Sequence, residues 1–212
     1  MTVEFLPLGD RSPEWHATRS TRIGGSDCGA IIGHGYVSRA RLLAEKRGEV
    51  DRSGDTDAKA RGRWLEPAGL AYLAEKKGVT YDAARQGSYW DDWRVYNPDA
   101  ITTDGRLIEI KSTAQRDDRW GRGGKVIKPG DPICIPVGYY SQTQWGMELL
   151  GIKETLLAVV ATKLSRRQDG SDGSDFDFAS YRIKHDPTFC AWLLEQARAF
   201  HHDMTTTDRK AA

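Results

Sequence analysis

Apolar residues recur every three or four positions along several stretches of the chain, which is the spacing of helices that bury one face. Glycine, proline and small polar residues mark the ends of these stretches. The pattern predicts a helix starting at Ser12-Pro13-Glu14 and another over Gly24–Gly33, capped by Ser26 or Asp27. It predicts further helices from Ser38 to Gly48, over Ala58–Lys77, over Val137–Leu150 and over Asp186–His202. Pro67 inside the fourth segment predicts a kink there or a helix that starts just before it.

Shorter alternating stretches predict strands between these helices. They fall around Ser88–Trp90, Arg94–Tyr96, Ala100–Thr102, Arg106–Lys111, Thr155–Lys163 and Phe176–Ile183, and the last two flank a polar loop over 165–175. Helices before, between and after a short mixed sheet indicate one α/β domain. We expect that domain to span residues 1–204, with a flexible tail over 205–212.

The segment NPDAITTDGRLIEIKS, residues 97–112, is an unusual hairpin because its second strand carries acid and base on one face. Period two places Glu109 and Lys111 on the face opposite Ile108 and Ile110. A three-residue loop with Gly105 in the left-handed region sets Asp99 across from Glu109. A two-residue turn would instead set Asp99 opposite Ile110, so shared use of one face favours the longer loop.

Facing carboxylates repel each other unless a cation lies between them, and hard oxygen ligands suit Mg²⁺ or Mn²⁺. A lysine one step along the strand could position water or stabilise charge that develops on a phosphorus centre. The alternative is an ordinary solvent-facing hairpin with unconnected Asp, Glu and Lys side chains.

Composition narrows the class of protein. A hydrophobic content of 39% with seven Trp indicates a folded chain. No apolar run has the length of a membrane span, and the start carries no secretory signal pattern. Three widely separated cysteines without a CxxC pair predict small buried thiols in a reducing cytoplasm rather than disulfides or a zinc site.

Charge is nearly balanced overall, at +1, but unevenly distributed. Six basic residues and two acidic ones lie between Lys111 and Lys128. This stretch could follow a phosphate backbone. Trp120 within it could stack on a base or, equally, anchor the loop to the core.

Four motifs in order resemble one nuclease family. Pro98-Asp99 followed by Glu109-x-Lys111 is similar to the PD-(D/E)xK nuclease motif. The segments EWHATRSTRIGGSD, GRWLEP and YYSQTQWGM resemble the opening W-x-x-x-R and Ser segment, the G-x-x-x-E helix and the Q-x-Q helix of the YqaJ-like viral recombinases, the lambda exonuclease family. The resemblance runs from Trp15 to about Gly151 and implies a restriction-endonuclease-like core.

The resemblance also implies roles for individual residues. It implies that Glu66, Asp99, Glu109 and the backbone carbonyl of Ile110 are metal ligands. Lys111 would be the catalytic lysine, and Gln142, rather than Gln144, would contact the nucleophilic water. Taken alone, Glu66 could be a first-turn helix acid, and Gln142 a solvated helix residue.

DNA contacts are implied at other positions. Arg19 and Ser26 would hold a 5′-phosphate, consistent with an arginine fork next to a helix start. Asn97 stands where the family has a phosphate-binding serine. Arg116, Arg119 and Trp120 are the candidates for further DNA contact in the basic stretch.

The activity implied is a Mg²⁺-dependent 5′-to-3′ exonuclease on linear double-stranded DNA, with two ions per site and Mn²⁺ as a possible substitute. It would leave 3′ single-stranded tails for a phage single-strand annealing protein, act as a homotrimer and reside in the bacterial host cytoplasm. The alternatives are a DNA endonuclease of the same fold and a non-catalytic DNA-end-binding module.

Overall fold

The computed structural model describes residues 2–7, 13–51, 54, 56–113, 119–166 and 172–206. Its helices are α1 (Pro13–Ser20), α2 (Gly25–Ile31), α3 (Arg39–Lys46), α4 (Asp57–Lys77), α5 (Val137–Leu150) and α6 (Pro187–Thr205). Its strands are β1 (Glu4–Pro7), β2 (Ile23–Gly24), β3 (Gly87–Trp90), β4 (Arg94–Tyr96), β5 (Ala100–Ile101), β6 (Leu107–Thr113), β7 (Val126–Ile127), β8 (Glu154–Arg166) and β9 (Asp172–Lys184).

The strands form two mixed sheets with helices packed around them, which confirms the predicted α/β class. One sheet has the order β1-β3-β4-β2 and the other the order β5-β6-β8-β9-β7. The sequence predicted a single sheet, because local alternation does not show which strands pair, and it did not predict β1, β2 or β7. β2 lies inside the segment predicted as a helix, so α2 begins one residue later, after Gly24.

The β5–β6 hairpin has the predicted register. Ala100 pairs with Ile108 and Ile101 with Leu107, and the backbone N–H of Thr102 donates to the Arg106 carbonyl at 2.9 Å. Gly105 closes the loop with a φ of 85°, in the left-handed region that glycine adopts without strain. This register continues to Asp99 and Glu109, which therefore lie across from each other.

Helix α4 covers one face of the long sheet. It starts after Thr56, whose hydroxyl caps the Lys59 N–H at 3.3 Å, and ends at Gly78, with φ 64°. The helix continues through Pro67 rather than starting there. Ile108 and Ile110 pack beneath it in one buried cluster with Leu73.

A second, larger core lies on the opposite side of β6. Leu107, on the same strand face as Glu109, belongs to this core with Trp145 and Met147 of α5. Strand β6 is therefore buried from both sides. The face with Ile108 and Ile110 packs on α4. The opposite face, which carries Glu109 and Lys111, lies on the side of α5.

Three local predictions need correction or lie outside the described chain. The polar loop predicted over 165–175 is shorter, because β8 reaches Arg166 and β9 starts at Asp172. The cap of α2 is Gly24 rather than Ser26 or Asp27, and Asp27 instead accepts the Gly24 N–H at 2.8 Å. Ser12 lies outside the described residues, although α1 does start at Pro13.

Within the described parts of the chain, none of the helices combines the length and apolar character of a membrane span.

Candidate active site

Glu109 is the centre of a hydrogen-bonded cluster. Its carboxylate is 2% exposed. Oε2 accepts a hydrogen bond from the Tyr96 hydroxyl at 2.5 Å. Oε1 accepts from Gln142 Nε2 and from Lys111 Nζ, both at 2.5 Å. A buried carboxylate is costly unless it is paired, and here three donors from β4, α5 and β6 offset that cost.

Asp99 lies just before β5. From this point on, β5 no longer pairs with β6, so that side of β6 has no backbone partner from β5. Asp99 Oδ2 accepts the Ile110 N–H at 2.5 Å. In a strand the N–H and C=O of one residue point to the same side. The Ile110 carbonyl therefore faces the same open edge as the Asp99 carboxylate, beyond the last β5 residue that pairs with β6. This edge presents oxygen atoms from both the backbone and the side chain.

Burial and nearby negative charge both raise the pKa of the Asp99 carboxyl. Burial, together with the charges of Glu109 and Glu66, raises its pKa well above the ordinary value, although Lys111 opposes the shift. Two other acids therefore lie close enough to act on Asp99. A divalent cation would relieve this repulsion, since it stabilises the ionised form.

Glu66 reaches this group because α4 packs closely on β6. A Cβ placed on Gly69 would lie 2.5 Å from Ile110 Cγ2, so only glycine permits the observed approach. Glu66 lies one turn before Gly69 on the same side of the helix. Close packing at Gly69 thus brings the Glu66 carboxylate toward Asp99.

Lys111 is held as a charged ammonium. Burial favours its neutral form, but the charges of Glu109 and Asp99 outweigh burial and raise its pKa. Its Nζ also lies 5.3 Å from the Tyr139 ring centroid, in cation–π range. The Tyr139 hydroxyl in turn shares a 2.5 Å hydrogen bond with that of Tyr36, whose side chain is 92% exposed.

Tyr96 is a site residue that the sequence reasoning missed. Its ring is wedged between two helices at glycines, since a Cβ on Gly25 or on Gly146 would lie 2.9 or 2.4 Å from ring carbons. The ring is 1% exposed, and its hydroxyl has Glu109 as its partner. Nothing in the strand pattern distinguishes such a tyrosine from an ordinary core residue. The signal available was its place three residues before Asp99.

The three residues predicted to hold a 5′-phosphate lie together. Arg19 donates to Ser26 Oγ at 3.1 Å and to Asn97 Oδ1 at 3.4 Å. Its guanidinium lies over the Trp15 ring at 4.7 Å. The Asn97 amide nitrogen donates to Ser88 Oγ at 2.5 Å, so Asn97 presents its oxygen to Arg19. In this arrangement Asn97 orients Arg19 rather than offering a donor to phosphate.

The remaining predicted residues divide between site and core. Gln144 is buried, donating to the Lys184 carbonyl and accepting from the Asp186 N–H, so Gln142 is the glutamine at the cluster.

Trp120 is 8% exposed and packs on Tyr139 and Tyr181, which favours the core-anchor alternative over base stacking. Arg119 is exposed, and Arg116 lies outside the described residues.

The donor set around Asp99 fits a hard divalent cation. Carboxylates of Asp99, Glu109 and Glu66 with the Ile110 carbonyl are the oxygen ligands that Mg²⁺ and Mn²⁺ prefer.

Another group of metal-ligating side chains, Glu148, His185 and Cys190, has its ligand atoms within 4.8 Å of one another. It lies elsewhere, where α5 meets α6, and already contains a 2.7 Å pair between His185 and Glu148.

Comparison with known proteins adds a family and a fold. The family model described as the YqaJ-like viral recombinase domain matches residues 14–153. A search of curated proteins finds no significant match.

Among solved structures, the alkaline exonuclease LHK-Exo from Laribacter hongkongensis superposes with a TM-score of 0.63 at 20% identity, covering 91% of this chain and 92% of that one. The structure of LHK-Exo in complex with dAMP superposes with a TM-score of 0.61 at 22% identity, covering 91% of this chain and 92% of that one. A phage-related exonuclease from Haemophilus somnus 129PT gives 0.58 at 12% identity, covering 86% and 93%. At these identities the superpositions establish a shared fold.

Proposed function

The chain belongs to the YqaJ-like viral recombinase family, and from that premise we propose that it is a divalent-metal-dependent exonuclease that degrades linear duplex DNA from its 5′ ends. That it is a nuclease follows from the family together with the phage-type exonuclease fold. The single observation that carries the proposal is the cluster in which Asp99, Glu109 and Lys111 meet at one edge of β6.

Each residue of the cluster has a distinct chemical task. Asp99, Glu109, Glu66 and the Ile110 carbonyl would hold Mg²⁺, or Mn²⁺ in its place, as one or two ions. A bound divalent cation supplies Lewis acidity toward the phosphate and lowers the pKa of water. The charged Lys111 stabilises negative charge that develops on the phosphorus oxygens in the transition state. Gln142, anchored by its amide nitrogen on Glu109, keeps its amide oxygen to orient the attacking water.

Direction comes from the Arg19 group. Arg19, Ser26 and Asn97 form one hydrogen-bonded set, and Asn97 lies two residues before Asp99. A terminal 5′-phosphate held by Arg19 would place the strand that carries it at the carboxylates, and so select 5′-to-3′ degradation. Arg116 and Arg119 of the basic stretch would add contacts to the DNA backbone.

The wider role follows from that direction. Removal of one strand leaves a 3′ single-stranded tail, which is the substrate for a phage single-strand annealing protein. We propose that the enzyme acts in the cytoplasm of the bacterial host, as one catalytic domain over residues 1–204 that assembles into a homotrimer. Size-exclusion chromatography with light scattering would measure that assembly directly.

A comparison of linear and closed circular DNA tests the proposal against its alternatives. The exonuclease digests linear duplex to mononucleotides when Mg²⁺ is added and leaves covalently closed circles intact. Cutting of the circles would indicate an endonuclease of the same fold. A protein that binds linear ends but cuts neither substrate with Mg²⁺ or Mn²⁺ would be a non-catalytic end-binding module.

A further inference from the structure

A cleft of about 840 Å³ lies at the far end of α4 from the carboxylates. It opens between the last turn of α4, the β5–β6 turn, and the adjoining ends of β8 and β9. Lys77, on its wall, is about 16 Å further along α4 than Glu66 at a rise of 1.5 Å per residue. The cleft is therefore separate from the catalytic cluster, although both involve helix α4 and the β5–β6 hairpin.

Positive charge is concentrated in this cleft. Six basic residues line it, against the two acids Asp104 and Glu154: Lys77, Arg106, Lys125, Lys153, Arg182 and Lys184. The excess of four charges compares with +1 for the entire chain. The bases come from five segments of the chain, so their proximity is a product of the fold and not of a basic sequence run.

The floor of the cleft is organised by Glu154, which is 5% exposed. Its two oxygens accept from Arg182 at 2.8 and 3.0 Å, and it also pairs with Lys184. The side chains of Arg182 and Lys184 nonetheless stay 52% and 39% exposed. Glu154 thus fixes these cations in place while leaving them open to an anion. Lys77, Lys125 and Lys153 stand exposed around them.

We propose that this cleft binds the phosphate backbone of DNA outside the catalytic centre and so retains the DNA between successive cuts. Cations spread across a cleft of this volume match a chain of phosphates better than a single small anion. The spacing of about 16 Å to Glu66 corresponds to roughly five nucleotides of one strand, at 3.4 Å each. The inference rests on the proposed function, because DNA reaches the cleft only if it also enters the carboxylate site.

The salt dependence of DNA binding tests the cleft directly. In the variant K125Q/K153Q, two exposed lysines lose their charge while the ion pairs of Glu154 remain. With EDTA present to prevent cutting, affinity for a single-stranded oligonucleotide and for a blunt duplex is measured at several salt concentrations. The slope of log affinity against log salt is negative. Loss of two phosphate contacts makes it less negative, by about 1.4 for a single strand or about 1.8 for a duplex. The substrate that shows the change identifies which form of DNA lies in the cleft.

A matched control removes two exposed charges elsewhere. The variant K76Q/R198Q has the same net charge as K125Q/K153Q, but neither residue lines the cleft. It should retain the wild-type slope, and both variants should retain the wild-type melting temperature. With Mg²⁺, K125Q/K153Q should cut a duplex too short to reach the cleft at the wild-type rate, yet degrade shorter tracts of long DNA.

Equal slopes for K125Q/K153Q and its control, on both substrates, would overturn the cleft proposal even if the wild type degrades linear DNA. The converse result, a reduced slope in a protein that cuts nothing with either metal, would support DNA binding in the cleft but defeat the proposed function. The two failures are therefore distinguishable in one set of experiments.

Discussion

At the scale of single residues, we expect cleavage to depend on Glu109 and the side chains that surround its carboxylate. Substitution of Asp99 or Glu109 by Ala removes a proposed metal ligand and should abolish cleavage. DNA binding should persist or tighten, because a carboxylate that repels phosphate is lost. Cleavage assays with binding measured in parallel check this, and a near-normal rate in either variant would remove the nuclease assignment from this hairpin.

Substitution of Lys111 distinguishes metal binding from catalysis. Its proposed role lies in the transition state, so Lys111→Ala should be as inactive as the carboxylate variants while still binding Mg²⁺. Isothermal titration calorimetry of Mg²⁺ binding gives the decisive reading. Loss of metal binding in Lys111→Ala would show that Lys111 acts by holding Glu109 in place rather than by stabilising charge.

Tyr96 is predicted to position Glu109. Tyr96→Phe keeps the ring between Gly25 and Gly146 but removes the hydroxyl that donates to Glu109. A hydrogen bond to a charged group contributes about 1.5–3 kcal/mol, so kcat should fall roughly ten- to a hundredfold. KM for DNA should stay unchanged, since Tyr96 is buried. A change confined to KM would contradict this role.

Arg19 is predicted to read the end of the DNA. If it holds the 5′-phosphate, duplexes with 5′-hydroxyl ends should be degraded about ten- to a hundredfold more slowly by the wild type. Arg19→Ala should erase most of that difference and shorten the tracts degraded per encounter. The proposed anchor fails if the wild type degrades both kinds of end at the same rate.

At the scale of secondary-structure elements, we expect the contact between α4 and β6 to affect both stability and activity. An alanine at Gly69 would place its Cβ 2.5 Å from Ile110 Cγ2 and push the helix away. We expect a loss of about 1–3 kcal/mol in the free energy of unfolding, and reduced cleavage because Glu66 moves with the helix. Gly62 on the same helix is the control, with its nearest atom, Ser112 Oγ, at 3.6 Å.

The control should move in the opposite direction. Gly62→Ala meets only ordinary contacts and should gain about 0.5–1 kcal/mol from helix propensity, with cleavage unchanged. Truncation of Ile110 should partly restore activity to the Gly69 variant, since G69A/I110A removes the atom that clashes. Equal effects of alanine at Gly62 and Gly69, measured by urea unfolding, would contradict this view of the interface.

The hairpin shows how far sequence reasoning can reach at this scale. Gly105 and the alternation along β6 were enough to predict the register that sets Asp99 across from Glu109. The motifs placed Glu66, Gln142 and Arg19 near the same edge. Tyr96 escaped because its role depends on two glycines distant in sequence, Gly25 and Gly146. Strands of two residues, such as β2 and β7, escaped because they exist only through pairing with distant partners.

At the scale of the whole molecule, Asp27 connects elements that carry the site. It pairs with Lys46 at 2.8 Å, and both side chains are nearly fully buried. Burial raises the pKa of Asp27, but the charges of Lys46 and Arg19 outweigh burial, and the net shift is downward from 3.8. Lys46 also donates to the Arg19 and Arg22 carbonyls at 3.2 and 2.7 Å, so this pair ties α3 to the segment before α2.

This pair should contribute to acid unfolding. A carboxyl whose folded-state pKa is depressed stabilises the fold above its ordinary pKa and loses that contribution as pH falls through the lower value. Stability should therefore fall as pH drops below about 4. Asp27→Asn should flatten that dependence when unfolding free energy is measured across this range. An unchanged acid profile in Asp27→Asn would show that the pair does not contribute.

We expect the whole enzyme to degrade each DNA strand from one end. The most direct measurement follows linear duplex labelled at either its 5′-phosphate ends or its 3′ ends, with Mg²⁺ added to start the reaction. We expect immediate release of the 5′ label as mononucleotide, retention of the 3′ label in a lengthening single strand, and no release without the metal. Early release of the 3′ label would rule out 5′-to-3′ degradation, and cleavage that proceeds in EDTA would rule out metal dependence.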